Sequence, residues 1–180
     1  MTNAQSDTVG AIGAMVETYR GCTEEPSLMD SVRCGFVGVD DLARNALTTW
    51  FSKVCENVCE WDHKPKIEAM LDLEMKGDYF LPVKGKEDKY ELYYDIWSNI
   101  HYGYVGRAAG FSGGTLQSAA GSGVPGVGAN YVGDEVTVQI GIDLYARYKP
   151  NELTAERLQQ AVLAAIPRLR RAGASQLIVK

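Results

Sequence analysis

A chain of 180 residues with 46% hydrophobic and 23% charged residues has the composition of one ordinary globular domain, large enough to bury about 70% of its unfolded surface. Its net charge of −5 argues against a non-specific nucleic-acid binder, whose affinity comes mostly from neutralising phosphates. No apolar run approaches the roughly 20 residues of a membrane span, and Met1-Thr2-Asn3-Ala4-Gln5-Ser6-Asp7 has neither the basic nor the apolar region of a Sec signal peptide.

The first element is a helix over residues 7–20, with Val9, Ile12, Met15, Val16 and Tyr19 at helical spacing after an Asp7-Thr8 cap and a stop at Gly21. A connecting segment around Pro26 holds a short helix from Ser27 to Arg33. A longer helix then runs from an Asp40 cap through Cys59, with Ala43, Leu47, Trp50, Phe51, Val54 and Val58 as its core face. Glu60-Trp61-Asp62-His63-Lys64-Pro65 follows as a turn, because the residue before proline disfavours helix. This turn gathers two acids, an aromatic, a histidine and a base. A helix over Ile67 to Lys76 ends at Gly77. Tyr79–Val83 and Lys89–Tyr93 flank a polar run and read as a β-hairpin that Pro82 confines to an edge.

Tyr93 to Phe111 is the stretch around which the rest is organised. It mixes aromatics with Asp95, Asn99, His101 and the glycines Gly103, Gly106 and Gly110. Each glycine in a helix interior costs about 1 kcal/mol against alanine, so a glycine among bulky residues signals close approach of a backbone or a ligand. Read as a helix, the stretch places Asp95, Asn99, Tyr102 and Gly106 on one face and Trp97, His101, Tyr104, Val105 and Ala108 on another. The first face is polar, with a gap at the glycines against which a substrate fits. His101, beside Trp97, is balanced between a structural and a catalytic role.

The segment from Gly113 to Gly133 is glycine-rich and lacks the Lys-Ser/Thr of a phosphate loop, so it reads as a lid or surface loop. Val136–Ile142 alternates like a strand, but its apolar run continues through Leu144, Tyr145 and Tyr148 beyond strand length, which favours a helix capped by Asp134. The last helix begins at Thr154 and meets Pro167, which kinks or ends it. Ser175 to Val179 forms a short strand. The fold class is therefore α+β: a predominantly helical single domain with a small β-hairpin or short sheet.

Four cysteines and two histidines, without a zinc-type CxxC spacing, call for no structural zinc and no cofactor. Cys22 and Cys34 flank a loop and are able to pair. Cys55 and Cys59, four apart on a helix, are placed for free, small apolar side chains rather than a disulfide.

Three segments carry a family resemblance: Trp61-Asp62-His63-Lys64, Tyr94 through Gly106, and Ile140-Gly141-Ile142-Asp143-Leu144-Tyr145. Together, over roughly residues 40–148, the chain resembles the bacterial polymorphic toxin type 44 family. The resemblance implies an antibacterial toxin domain over residues 40–180 behind an N-terminal helical extension over 1–39. It also implies a cognate immunity protein as partner. With so little ahead of the toxin region, the chain reads as a free-standing effector carried by a component of a specialised secretion system, such as type VI, into the target cell's periplasm. His63 stands where the resemblance leads one to expect an aromatic, and it is set aside as a catalyst.

The reaction must come from the residue types. Asp95, His101, Asn99 and Asp62 suit hydrolysis by acid–base catalysis, with Asp134 in reserve. Trp61, Lys64, Trp97, Tyr102, Tyr104 and Gly103 are the candidate substrate contacts. Lys64 and Asn99 suit developing negative charge. Three targets compete. One is the cell wall, as peptidoglycan or its lipid-linked precursor; aromatic walls on an acidic protein favour it, with Glu60 and Glu91 bordering the key segments. A cytosolic metal-independent ribonuclease is the second, and the third is a non-enzymatic inhibitory binding protein.

Overall fold

The computed structural model describes residues 2–24, 26–27, 29, 31, 34, 38–55, 59–121 and 132–180. A 3-10 turn, Thr2–Gln5, leads into α1, Asp7–Thr23, which Ser6 caps by accepting from Val9 N. Val9, Ile12 and Val16 face inward as their spacing requires, and the helix runs past Gly21 rather than stopping there. Of the short helix expected over Ser27 to Arg33, Ser27, Met29 and Ser31 are described, with Ser31 N donating to Ser27 O at 2.9 Å; its other positions and the core position Val58 lie outside the described residues.

Helix α2, Val39–Val54, starts after Gly38 and buries Ala46 and Trp50 against α1. It ends before Cys59, contrary to the expected helix: Cys55 is extended at φ −59°, ψ 144°. Once the chain leaves the helix, Cys55 and Cys59 are no longer a helical pair. Their Cα atoms lie 5.2 Å apart and their sulfurs are joined, which corrects the expectation of free thiols. Cys22 and Cys34 are joined as well.

The turn is pinned back on α2 by Trp61 N donating to Lys53 O at 2.8 Å. Asp62 Oδ1 then accepts from Lys64 N at 3.0 Å and starts α3, Lys64–Leu71, with Pro65 in its first turn, where the missing N–H is not needed. The expected helix over Ile67 to Lys76 is divided at Asp72, which is left-handed at φ 57°, into α3 and α4, Leu73–Lys76.

Strands β1, Phe80–Pro82, and β2, Tyr90–Tyr93, form the expected hairpin with Phe80 opposite Tyr93. Strand β3, Leu177–Val179, adds to the other side of β2 with Leu92 opposite Leu177, so Pro82 does lie in an edge strand.

Helix α5, Ile96–Ala108, is the buried axis of the molecule, with Ile96, Ile100, Tyr104 and Val105 at most 1% exposed. Helix α6, Gly113–Ala120, occupies the start of the segment read as a loop. Ser112 makes this possible by capping it, accepting from Thr115 N at 3.0 Å, while Leu116 buries inward. The rest of that reading, residues 122–131, lies outside the described residues. Helix α7, Asp134–Arg147, confirms the helical choice; its cap position is Gly133, which frees the Asp134 side chain for other partners. Helix α8, Ala155–Ala172, begins after Thr154 and continues through Pro167.

Helices α5 and α7 cross at their glycines. A Cβ on Gly103 would stand 2.2 Å from Val138 O, and one on Gly141 would stand 2.1 Å from Ile100 O. The crossing requires glycine from both helices.

Candidate functional site

Helix α5 distributes the candidate catalytic residues to two places. Asn99 and His101 are two positions apart, about 200° around a helix, so they face opposite ways. The first place collects the histidines. His101 is buried on α5, and His63, half-buried at the start of α3, meets it edge to face with the two Nε2 atoms 3.1 Å apart. Asn3 Nδ2 also reaches His101 Nε2 at 3.3 Å. An amide nitrogen only donates, so His101 Nε2 accepts and its proton sits on Nδ1. His63 Nε2 reaches the same nitrogen, so it competes with the Asn3 amide for that single lone pair; when His63 Nε2–H takes it, His63 Nδ1 is left as a proton acceptor.

Both rings are neutral at ordinary pH. Burial is the main cause of the drop in His101 to about 3, with His63 and Lys66 adding to it. His63 is lowered first by burial and then by Lys66, while the Asp62 carboxylate pulls the other way. The pair forms one wall of a groove of about 340 Å³ whose other lining residues are Lys66, Ile67, Met70, Trp97, Ile100 and Leu158. Three helices, α3, α5 and α8, thus surround the two imidazoles, and five of these six other residues are apolar.

On the opposite face of α5, Asn99 Nδ2 donates to Asp134 Oδ1 at 2.8 Å. Gln176 Nε2, from the segment leading into β3, donates to the same oxygen at 2.5 Å. Asp95, buried at the N-cap of α5, lines a pocket of about 260 Å³ with Phe80, Tyr93, Ser175 and Gln176. The expected quartet is therefore divided. His101 sits with His63 and the neighbouring Asp62, whereas Asp95 and Asn99 sit with Asp134 and Gln176.

The expected substrate contacts divide as well. Trp97 lines the histidine groove. Trp61 is 4% exposed and packs edge-on against Trp50, so it is core. Tyr104 is fully buried and donates to Tyr148 O at 2.9 Å. Tyr102 packs on Trp50 and donates to Leu116 O at 3.3 Å. The gap at the glycines is filled from within the protein: the α7 backbone closes on Gly103 and the Leu116 side chain on Gly106. The rule that glycine marks close approach holds here, but the approaching group is the fold itself. Lys64 gives its backbone N–H to Asp62. Glu60 and Glu91 are engaged at the surface with Lys53 and Lys180.

Sequence reasoning set His63 aside and did not single out Asn3, Lys66 or Gln176. One signal was present: the chain has two histidines, and each falls in one of the two segments singled out for polar chemistry.

The class is that of a small helical α+β domain with a histidine pair at an open groove on one face of α5 and, on the opposite face, a carboxylate held between two amides. Within that class the lineage is specific: the chain belongs to the bacterial toxin 44 family, whose model matches residues 49–147. That span reaches from the end of α2 to the end of α7 and includes both histidines. No curated protein and no solved structure matches the chain.

Proposed function

We propose that this toxin is a hydrolase of the bacterial cell wall, acting on a phosphate ester of the lipid-linked wall precursor. The observation that carries the reading is the His63–His101 pair set in the wall of an apolar groove. His63 takes a proton from the attacking water and returns it to the leaving oxygen. His101 holds the ring through the N–H···N bond, and Lys66 at the rim meets the phosphate charge. Ile67, Met70, Trp97 and Leu158 offer the groove a hydrocarbon-compatible lining. Two disulfides suit an oxidising compartment such as the periplasm, reached through a specialised secretion system. An immunity protein is the partner that a toxin of this family calls for. The four residues favoured from sequence take unequal parts: His101 acts with Asp62 nearby, while Asp95 and Asn99 serve the other face.

A ribonuclease is the second reading, because two imidazoles and a lysine also suit a phosphodiester; the net charge of −5 and the apolar lining weigh against it. The deciding experiment expresses the chain in sensitive bacteria with and without a periplasmic signal peptide, beside His63→Gln and His101→Gln. Killing only with the signal, cleavage of purified lipid-linked precursor, and a loss of roughly 10²-fold or more in both variants at unchanged fold are expected. Killing only in the cytosol with degraded RNA would replace the wall by the second reading. Full activity of both variants would remove the histidine pair from the chemistry.

A further inference from the structure

A groove of about 210 Å³ runs between α7 and α8 and is lined by residues of neither place on α5. Ile140 and Leu144 from α7, with Ala161, Ala164 and Ala165 from α8, give it an apolar lining. Charges of both signs border that lining: Asp143 and Arg147, one turn apart on α7, and Arg168 on α8. These groups are open to a ligand. Arg147 is exposed, and its side chain makes no ion pair or hydrogen bond among the described residues. The side chains of Asp143 and Arg168 are each 41% exposed, and Arg168 Nη1 stands 3.7 Å from Asp143 Oδ2, too far for a hydrogen bond. Asp143 Oδ1 accepts from Gln139 Nε2 at 2.7 Å, which orients the carboxylate and leaves Oδ2 to accept from a ligand.

We infer that this groove binds a short zwitterionic peptide with small side chains, its carboxylate between Arg147 and Arg168 and its ammonium on Asp143 Oδ2. The lengths agree. Side chains four apart on a helix stand roughly 5–6 Å apart at Cβ, and an extended dipeptide, at about 3.3 Å per residue, separates its two ends by a similar length. Guanidinium groups suit the carboxylate through paired N–H donors, and a carboxylate suits the ammonium. The volume lies below the roughly 300–1,000 Å³ of drug-sized sites, which matches methyl-sized side chains laid against the alanines. Arg168 also borders a second groove with Glu135 and Gln139, so a longer chain has a path along α7. Leu158 lines the histidine groove and Ala161, one turn further on, lines this one, so both open from the same helix. The inference deepens the wall reading by naming the peptide stem of a wall precursor as the part recognised, its terminal carboxylate and diamino residue supplying the two charges. It rests on that reading for where the peptide is met. Its failure is separable, because binding is measured without killing.

The test is NMR titration of the intact chain with the dipeptide D-alanyl-D-alanine, beside its N-acetyl form, its C-terminal amide and acetate. Expected are shifts of the Arg147 and Arg168 guanidinium signals and the Ala161 methyl signal with millimolar affinity, unchanged in His63→Gln. Either blocking group, Arg147→Gln or Asp143→Asn should weaken binding about fivefold or more. The blocked ligands need no variant, so the result stands even where a variant fails to fold. Absence of shifts, equal affinity for the blocked dipeptides, or acetate binding as tightly as the dipeptide overturns the site. Dipeptide binding that persists while periplasmic killing is absent upholds the site and removes the wall reading.

Discussion

The two faces of α5 use polar residues in opposite ways. On one, His63 and Asn3 come from distant parts of the chain to put lone pairs and protons beside an open groove. On the other, Asp134 is clamped between the amides of Asn99 and Gln176. The first arrangement can change its protonation. The second has its donors already spent, so it can hold a shape but has little to give a reaction. A single motif read along one helix therefore encodes two devices, and residue type alone did not separate them.

The comparison depends on α5 being held rigidly by α7, and the strongest way to break it is at the crossing. Gly141→Ala drives a methyl group into Ile100 O, 2.1 Å from an ideal Cβ, where backbone rather than a pliable side chain must yield. A loss of about 3 kcal/mol or more is expected, lowering the melting temperature by roughly 10 °C and disturbing both faces together. Gly10→Ala, where nothing lies within 4 Å of the new atom, should instead stabilise α1 by about 1 kcal/mol. Thermal melts decide both, and a tolerated Gly141→Ala would show that the crossing does not join the faces.

The next largest effect belongs to the histidine face and is read from pH. His101 has its folded value lowered from 6.5 to about 3, so below 6.5 the unfolded chain binds a proton that the folded chain refuses. Stability is then fully present above 6.5 and declines as pH falls toward 3. Its slope approaches about 1.4 kcal/mol per pH unit at most. His63 adds in the same direction. Denaturant midpoints between these limits should fall in the native chain and fall less in His101→Gln. Parallel curves would mean that the ring is not buried as a neutral base.

The opposite face predicts a loss of stability without that pH signature. Asn99→Ala removes one of the two amides on Asp134 and should cost about 1–3 kcal/mol. The acid dependence owed to His101 should stay as it was. If Asn99→Ala also changed the pH slope, the two faces would be one coupled network and the contrast between them would disappear.

Much of this architecture could be read from local pattern. Helical spacing located α1, α5, α7 and α8, and Pro82 told the edge strand. What pattern could not show was where α2 ends, because the apolar stripe continues toward Cys59 while the backbone turns extended at Cys55. That misreading also hid the second disulfide. At the site, the two faces of α5 followed from helical geometry, but their partners did not. Asn3 lies 98 positions from His101, and Gln176 lies 42 from Asp134; no window of sequence joins them. Aromatic content likewise could not distinguish Trp61, which is core, from Trp97, which lines the groove.

The smallest expected effect tests whether the histidine face is tuned as well as assembled. Lys66 is exposed, gives its ammonium to Glu60 O at 2.5 Å, and is the largest charge lowering His63. Removing it in Lys66→Met takes away a cation that disfavours protonation, so the His63 value should rise, by less than about one unit for a charge in contact with solvent. NMR titration of the His63 ring proton reads this directly, without a substrate. Because an exposed charge is screened, high salt should shift the native protein the same way and Lys66→Met hardly at all. A fall on removing Lys66, or no change in either experiment, would mean that burial alone sets His63. Lys66 would then have no part in holding the proton acceptor neutral.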